Sequence, residues 1–397
     1  MTRIIEFFGL RRSMVALLSM VVLVGLGERM AERFLPVYLM AIGGGILTPG
    51  FLNALDNLLS ALYSFPGGYL SDKLGHKRAL LVFNLVAMAG YLIVIFIPTW
   101  QAVFVGSFFF ISWTALSLPA TMSLVSAVLP KNKRTMGVSM HSLVRRVPMA
   151  LGPIIGGLLI GWLGRETGVR WAFVGAFILG LVALVMQQTM IDEAGTGKPA
   201  AEGNPFRLLR FMSPQLRVLL AADILIRFCE QIPYAYVVLW AMDLVKVSAF
   251  DFGILTTVEM ATAMLIYVPV AYLADRGTKK PFVVMTFINF TLFPLVLLVS
   301  HSFWLLVLAF FVRGMKEFGE PTRKALIMDL APEDRKAGMF GLYYLLRDVV
   351  VSIAPFAGAY LWRWSPEANL ITASACGAAG TLFFALFGRN AKPAEAA

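Results

Sequence analysis

The chain has 397 residues, 59% hydrophobic and 14% charged, with 34 Lys+Arg against 23 Asp+Glu and a formal charge of +11. A soluble domain carries about a quarter charged residues, so an ordinary soluble enzyme, a disordered chain and a nucleic-acid binder are excluded. An outer-membrane barrel is excluded too, because its strands alternate apolar with polar positions. A helix that crosses a bilayer core needs about 20 residues, and the apolar content suffices for roughly twelve of them. In such a chain the basic excess reads as the bias of cytoplasmic loops, not as affinity for nucleic acid.

From the N-terminus, MTRIIEFFGLRRS leads into a long apolar stretch without a small-residue cleavage site, which predicts an uncleaved first helix. From Ala79 to Pro130 there is no charged residue and no His. Pro98-Thr-Trp100-Gln divides that run into two spans. The same reading predicts helices over 13–41, 49–71, 79–97, 102–129, 135–163, 171–190, 216–242, 251–274, 281–299, 304–329, 336–362 and 368–387. The expected class is an all-α polytopic membrane protein. Residues 1–190 form an N-terminal six-helix bundle, 191–215 a Gly/Pro-rich cytoplasmic linker and 216–397 a C-terminal bundle. Basic residues crowd the even-numbered connections and tails, Arg323 and Lys324 counted among them, which places both termini in the cytoplasm. Cys229 and Cys376 lie in apolar runs without metal-ligand company. No nucleotide-binding loop is present, so neither a cofactor nor a metal is expected.

The halves repeat at an offset of about 202 residues. GGYLSDKLGHKR (67–78) matches VAYLADRGTKK (270–280), which sets Asp72 against Asp275, Pro66 against Pro269 and Asp56 against Glu259. GPIIGG (152–157) matches APFAG (354–358). Arg29, Glu32, Arg33 and Tyr38 in the first helix match Arg227, Glu230, Gln231 and Tyr236 in the seventh. Repetition of this kind marks secondary transporters that hold substrate between halves.

The segment from Gly68 to Arg78 resembles the loop 2–3 signature of the major facilitator superfamily, G-x-L-[SA]-D-x-x-G-x-[RK]-[RK]. The likeness implies twelve helices in two pseudo-symmetric bundles. Helices 1, 4, 7 and 10 then line the cavity, 2, 5, 8 and 11 join the halves, and 3, 6, 9 and 12 stand outside. GPIIGG is similar to the core of the family's exporter-associated motif, with Pro148 where a Gly is expected upstream. Helix 4 lacks the basic residue that several proton-coupled members carry. In the loop signature, Gly68 and Gly75 allow close approach and a tight turn. Asp72 suits a helix N-terminus, and Lys77 and Arg78 can pair with it. With Asp275, these residues form the candidate cytoplasmic gate.

Seventeen charged residues fall inside spans once Arg217, Asp251, Arg323, Lys324, Asp329 and Lys336, toward span ends, are counted with the connections, and spans 3, 4, 6, 9 and 12 hold none. A charge at the bilayer centre costs at least about 2.5–3.5 kcal/mol. All seventeen facing lipid would cost roughly 40–60 kcal/mol, against a typical stability of about 5–15 kcal/mol. They must pair or line water. Asp223, Arg227 and Glu230 share an arc of about 60° on one helix. Glu28, Arg29, Glu32, Arg33, Asp56, Arg227, Glu230 and Glu259 form a candidate outer ring, acting as gate, proton-coupling site or structural pairs. Arg29 or Arg33 is expected to meet Asp56, and Arg227 to meet Glu259. Arg145, Arg146, Arg313, Lys316, Glu317 and Arg347 form a candidate mid-membrane substrate site for an anionic or zwitterionic group.

The expected function is proton-coupled export of a small organic solute, amphipathic or charged, by a transporter in the cytoplasmic membrane. Expected partners are that solute, protons and the lipid bilayer, with no nucleic acid, and the chain is expected to be a monomer. Proton-coupled import of an organic anion and a non-transporting scaffold or sensor remain alternatives. No nucleophile, metal or cofactor constellation points to an enzyme. Asp72→Ala is predicted to change transport or conformational accessibility while expression persists. Unaltered uptake and labelling in vesicles would remove the latch role.

Overall fold

The computed structural model describes residues 12–110, 144–191, 205–275, 278–332 and 336–389. Most of the fourth expected span, the start of the fifth and most of the connection 191–215 lie outside the described residues. So do the side chains of Asp72 and Asp275. No strand occurs among the described residues, and seven helices there are long and apolar enough to cross a membrane. Contacts divide the chain into two compact units, residues 1–201 with 246–257, and residues 202–245 with 258–397.

In the first unit, α1 (Arg12–Glu32), α2 (Leu35–Ala41), α3 (Thr48–Leu74), α4 (His76–Phe96) and α5 (Trp100–Phe110) are followed by α6 (Arg146–Leu163) and α7 (Arg165–Met190). α8 (Pro214–Gln231) opens the helical bundle of the second unit. α9 (Ala249–Asp275) begins in the first unit and continues into the second. Then come α10 (Lys279–Leu298), α11 (Phe303–Gly314), α12 (Glu320–Leu330), α13 (Lys336–Val351), α14 (Ala354–Trp364) and α15 (Pro366–Phe387).

Four expected spans are each interrupted. The first breaks between α1 and α2, the seventh after α8, the tenth at a 3-10 turn over Met315–Glu317, and the eleventh between α13 and α14. Proline stands at or just after each break: Pro36, Pro233, Pro321 and Pro355. Lacking an N–H, proline starts a helix more readily than it continues one. The freed backbone groups find partners. Asn289 Nδ2 donates to the Met315 carbonyl at 3.1 Å, and Gly319 N donates to Thr286 Oγ1 at 2.5 Å. Buried in apolar surroundings, such groups would otherwise be costly.

The two matched glycine motifs perform one task in each unit. A Cβ on Gly156 would stand 2.1 Å from the Met30 carbonyl oxygen of α1. A Cβ on Gly358 would stand 2.1 Å from the Ile232 carbonyl oxygen, just past α8. Both pairs are related by the 202-residue offset, so the repeat conserves a helix crossing at backbone contact distance. Gly75 joins α3 to α4 at φ +81°, a conformation that L side chains rarely adopt. Just after it, Lys77 donates to the Gln188 carbonyl near the end of α7 at 2.8 Å. Lys280 donates to the Ala385 carbonyl near the end of α15 at 2.7 Å. In both units a basic residue thus closes a helix C-terminus, the electronegative end.

Gly156→Ala and Gly358→Ala are each expected to cost about 1–3 kcal/mol, because the backbones must part. Gly161→Ala, with open space around its added carbon, should be neutral. Thermal unfolding of the purified chain in detergent measures all three.

Candidate functional site

α8 carries the start of the site. Asp223, Arg227 and Glu230 recur on one face toward its C-terminal break, where helix propagation ends at Pro233. Asp223 is fully buried. Its carboxylate bonds the Arg323 guanidinium of α12, accepts the Tyr343 hydroxyl at 3.0 Å and lies 3.4 Å from Arg347 Nη1 of α13. Arg347 also holds Asp348 at 2.7 Å and covers the Tyr344 ring at 4.3 Å. Arg323, only 2% exposed, reaches back to Glu320 at 2.8 Å. Glu320 lies 3.8 Å from Arg227, and Arg227 bonds Glu230 at 2.5 Å. Lys316, in the 3-10 turn, bonds Glu230 at 2.9 Å and stands 3.3 Å from Glu259 of α9. Arg313 completes the series 3.3 Å from Glu259.

The result is one unbroken sequence: Asp348, Arg347, Asp223, Arg323, Glu320, Arg227, Glu230, Lys316, Glu259, Arg313. Acid and base alternate at every link. Alternation is what burial demands, since each charge removed from water needs a near opposite. Lys324, half exposed, adds a contact to Glu320 at 3.5 Å. A small cavity beside this chain is lined by Glu230, Arg313, Lys316, Asn289, Phe290 and Phe293. The Arg313 guanidinium sits over the rings of Phe293, Phe310 and Tyr234 at 5.0, 5.6 and 5.7 Å, a stabilising placement for a desolvated cation.

The first unit holds a smaller counterpart. Arg29 and Glu32, in the last turn of α1, pair at 2.6 Å, as Arg227 and Glu230 do near the C-terminal end of α8. Asp56 on α3 accepts Ser60 Oγ at 3.3 Å and lies within electrostatic reach of Glu28, Arg29 and Glu32. Glu28 is buried and Arg33 half-buried, near the same break. A second cavity is lined by Glu28, Glu32, Tyr91, Phe110 and Phe173.

Several expected partnerships resolve differently. Glu259 takes Arg313 and Lys316, whereas Arg227 takes Glu230 and Glu320. Similar depth is not similar azimuth, and the break after Gly314 is what turns Lys316 toward Glu230 and Glu259. Arg347 does not join Arg313 and Lys316: it stands at the other end of the chain of pairs. Arg145 and Arg146, half-buried at the start of α6, belong to the first unit. Glu317 shares the 3-10 turn with Lys316. Arg78 begins α4 beside Lys77.

Arg323 departs most from expectation: its place in the chain groups it with the cytoplasmic loop charges, whereas it is buried on Asp223. The usable signal was its spacing, one helical turn after Glu320. Asp223 and Tyr343 were also missed as site residues. Asp223→Ala is expected to cost about 3–5 kcal/mol by leaving Arg323 buried without its partner. Asp223→Asn combined with Arg323→Gln should recover much of that loss, because alternation survives at the remaining links. Thermal unfolding of the single and double variants measures the coupling.

The model of the Major Facilitator Superfamily matches residues 17–244 and 219–397. An uncharacterized MFS-type transporter of Methanocaldococcus jannaschii is 20% identical over 361 residues, 88% of each chain. The class H tetracycline resistance protein of Pasteurella multocida is 23% identical over 326 residues, 80% of each chain. Among solved structures, a peptide transporter POT in complex with sulfate superposes with a TM-score of 0.78 at 16% identity, covering 94% of this chain and 93% of the other. The human organic anion transporter MFSD10 gives 0.68 at 16% identity, covering 94% and 99%. At these identities the solved structures show a shared fold.

Proposed function

Because the chain belongs to the major facilitator superfamily of multi-pass membrane transporters, and is no enzyme, we propose that it is a secondary transporter coupled to protons. It moves a small organic solute by alternating access between two six-helix halves joined through 191–215. It resides in the cytoplasmic membrane with both termini inside. Export by antiport is the favoured direction. GPIIGG in α6 supports it, and so does likeness to tetracycline resistance proteins, since a transporter confers resistance by carrying a drug out.

The alternating charge chain of the second unit carries this reading. Glu230 is shared between Arg227 on its own helix and Lys316 from a broken one. A carboxylate that loses its cations away from water takes up a proton. Movement of the Lys316 turn therefore exchanges an ammonium for a proton at Glu230. Glu32 with Arg29 is the corresponding pair of the first unit. Lys77, Arg78, Gly68, Asp72, Gly75 and Asp275 serve as the cytoplasmic gate.

Import of an organic anion is the second reading, and the basic residues Arg145, Arg146, Arg313, Lys316 and Arg347 favour it. The last three already hold carboxylates, so an anion would have to displace one of them. In proteoliposomes with an imposed pH gradient, Glu230→Gln is expected to abolish gradient-driven accumulation while solute exchange persists. Full accumulation in both Glu230→Gln and Glu32→Gln would refute proton coupling through these groups.

A further inference from the structure

The two cavities are related by the internal repeat, and their chemistry has diverged. Tyr91 and Phe293 occupy equivalent places on α4 and α10, 202 residues apart. Each cavity includes a carboxylate from the last turn of the helix before the break, Glu32 in one and Glu230 in the other. In the second unit the cavity supplies its own cations, Arg313 and Lys316, with the guanidinium set among aromatic rings. At the same offset the first half has Ile111 and Thr114, and the whole run Ala79–Pro130 contains no basic residue.

The first unit keeps the aromatic box. Tyr91, Phe110 and Phe173 pack as a triangle, with ring centroids 5.4, 5.9 and 5.4 Å apart. Two carboxylates, Glu28 and Glu32, line the same cavity, Asp56 lies within electrostatic reach, and Arg29 holds Glu32 at 2.6 Å without lining the cavity. Tyr91 lines it as well; the residue is 3% exposed, and its hydroxyl has no hydrogen-bond partner among the described residues. A buried hydroxyl without a partner is costly unless something arrives to meet it.

We propose that the Glu28–Glu32–Tyr91 cavity of the first unit binds the ammonium head of an organic amine substrate, in the place where the second unit uses its own Arg313 and Lys316. The carboxylates and the Tyr91 hydroxyl oxygen accept from the ammonium, and the three rings supply cation–π contact. The inference names a substrate class for the transporter proposed above and rests on that reading for its transport consequence.

The test is binding without a gradient. The purified full chain is titrated calorimetrically with phenethylammonium, and with 2-phenylethanol and 3-phenylpropionate as uncharged and anionic counterparts. Phenethylammonium is expected to bind and the other two to fail over the same concentrations. Glu28→Gln and Glu32→Gln should each weaken it by roughly tenfold or more, and Tyr91→Phe by roughly three- to tenfold. Glu367→Gln, far along the chain at the start of α15, should change nothing. No binding of the ammonium, preference for the anion, or unchanged affinity in the three cavity variants would each overturn the proposal. If the carboxylate variants do not fold, Tyr91→Phe decides alone, because it keeps the ring. Ammonium binding without proton-driven transport would sink the transport reading and leave the site standing. Proton-driven accumulation of another solute, with no ammonium binding, would do the reverse.

Discussion

A charge taken out of water must meet its opposite within a few ångströms, and the second unit is organised around that requirement. Ten ionised side chains from α8, α9, α11, α12, α13 and the 3-10 turn alternate in sign without a gap. The broken helices follow from the same need. A continuous tenth helix would hold Arg313, Lys316 and Glu320 within an arc of about 60° on one face. The interruption at 315–319 lets each face a different partner. Helix ends add a bias of their own. Glu320 at the start of α12 sits at the favourable pole of the helix dipole. Glu230, near the end of α8, sits at the unfavourable pole and is held by two cations.

Duplication kept the scaffold and let the chemistry drift. The glycine crossings of Gly156 on Met30 and Gly358 on Ile232 match at the level of single atoms. The ion pairs Arg29–Glu32 and Arg227–Glu230 close equivalent helices. Around those fixed points the first unit retains carboxylates and rings but has Ile111 and Thr114 where the second has Arg313 and Lys316.

Much of the fold was legible in the chain of residues. Apolar runs located α3, α4, α9, α10 and α15 to within about three residues and α7 to within six, because desolvation acts on composition and needs no partner. The breaks were less visible. Pro36, Pro233, Pro321 and Pro355 stand in plain sight, yet an apolar run continues across each one, so hydropathy passes over what backbone hydrogen bonding does not. Arg323 shows the opposite failure. Placed near a helix end among other basic residues, it resembled a loop charge, and only the neighbouring α8 and α13 make it an interior one.

By itself, then, the sequence determined a helical membrane chain, an internal repeat, the helices that bear charge, and the placement of Asp223, Arg227 and Glu230 on one helix face. Those depend on transfer from water and on the fixed pitch of a helix, both local properties. Tertiary structure alone decided that Arg323 belongs to Asp223 and Tyr343, that Glu259 belongs to Arg313 and Lys316, and that Arg347 stands apart from both. Such partnerships depend on how each helix is rotated and where it is broken, and rotation is settled by the neighbours against which it packs.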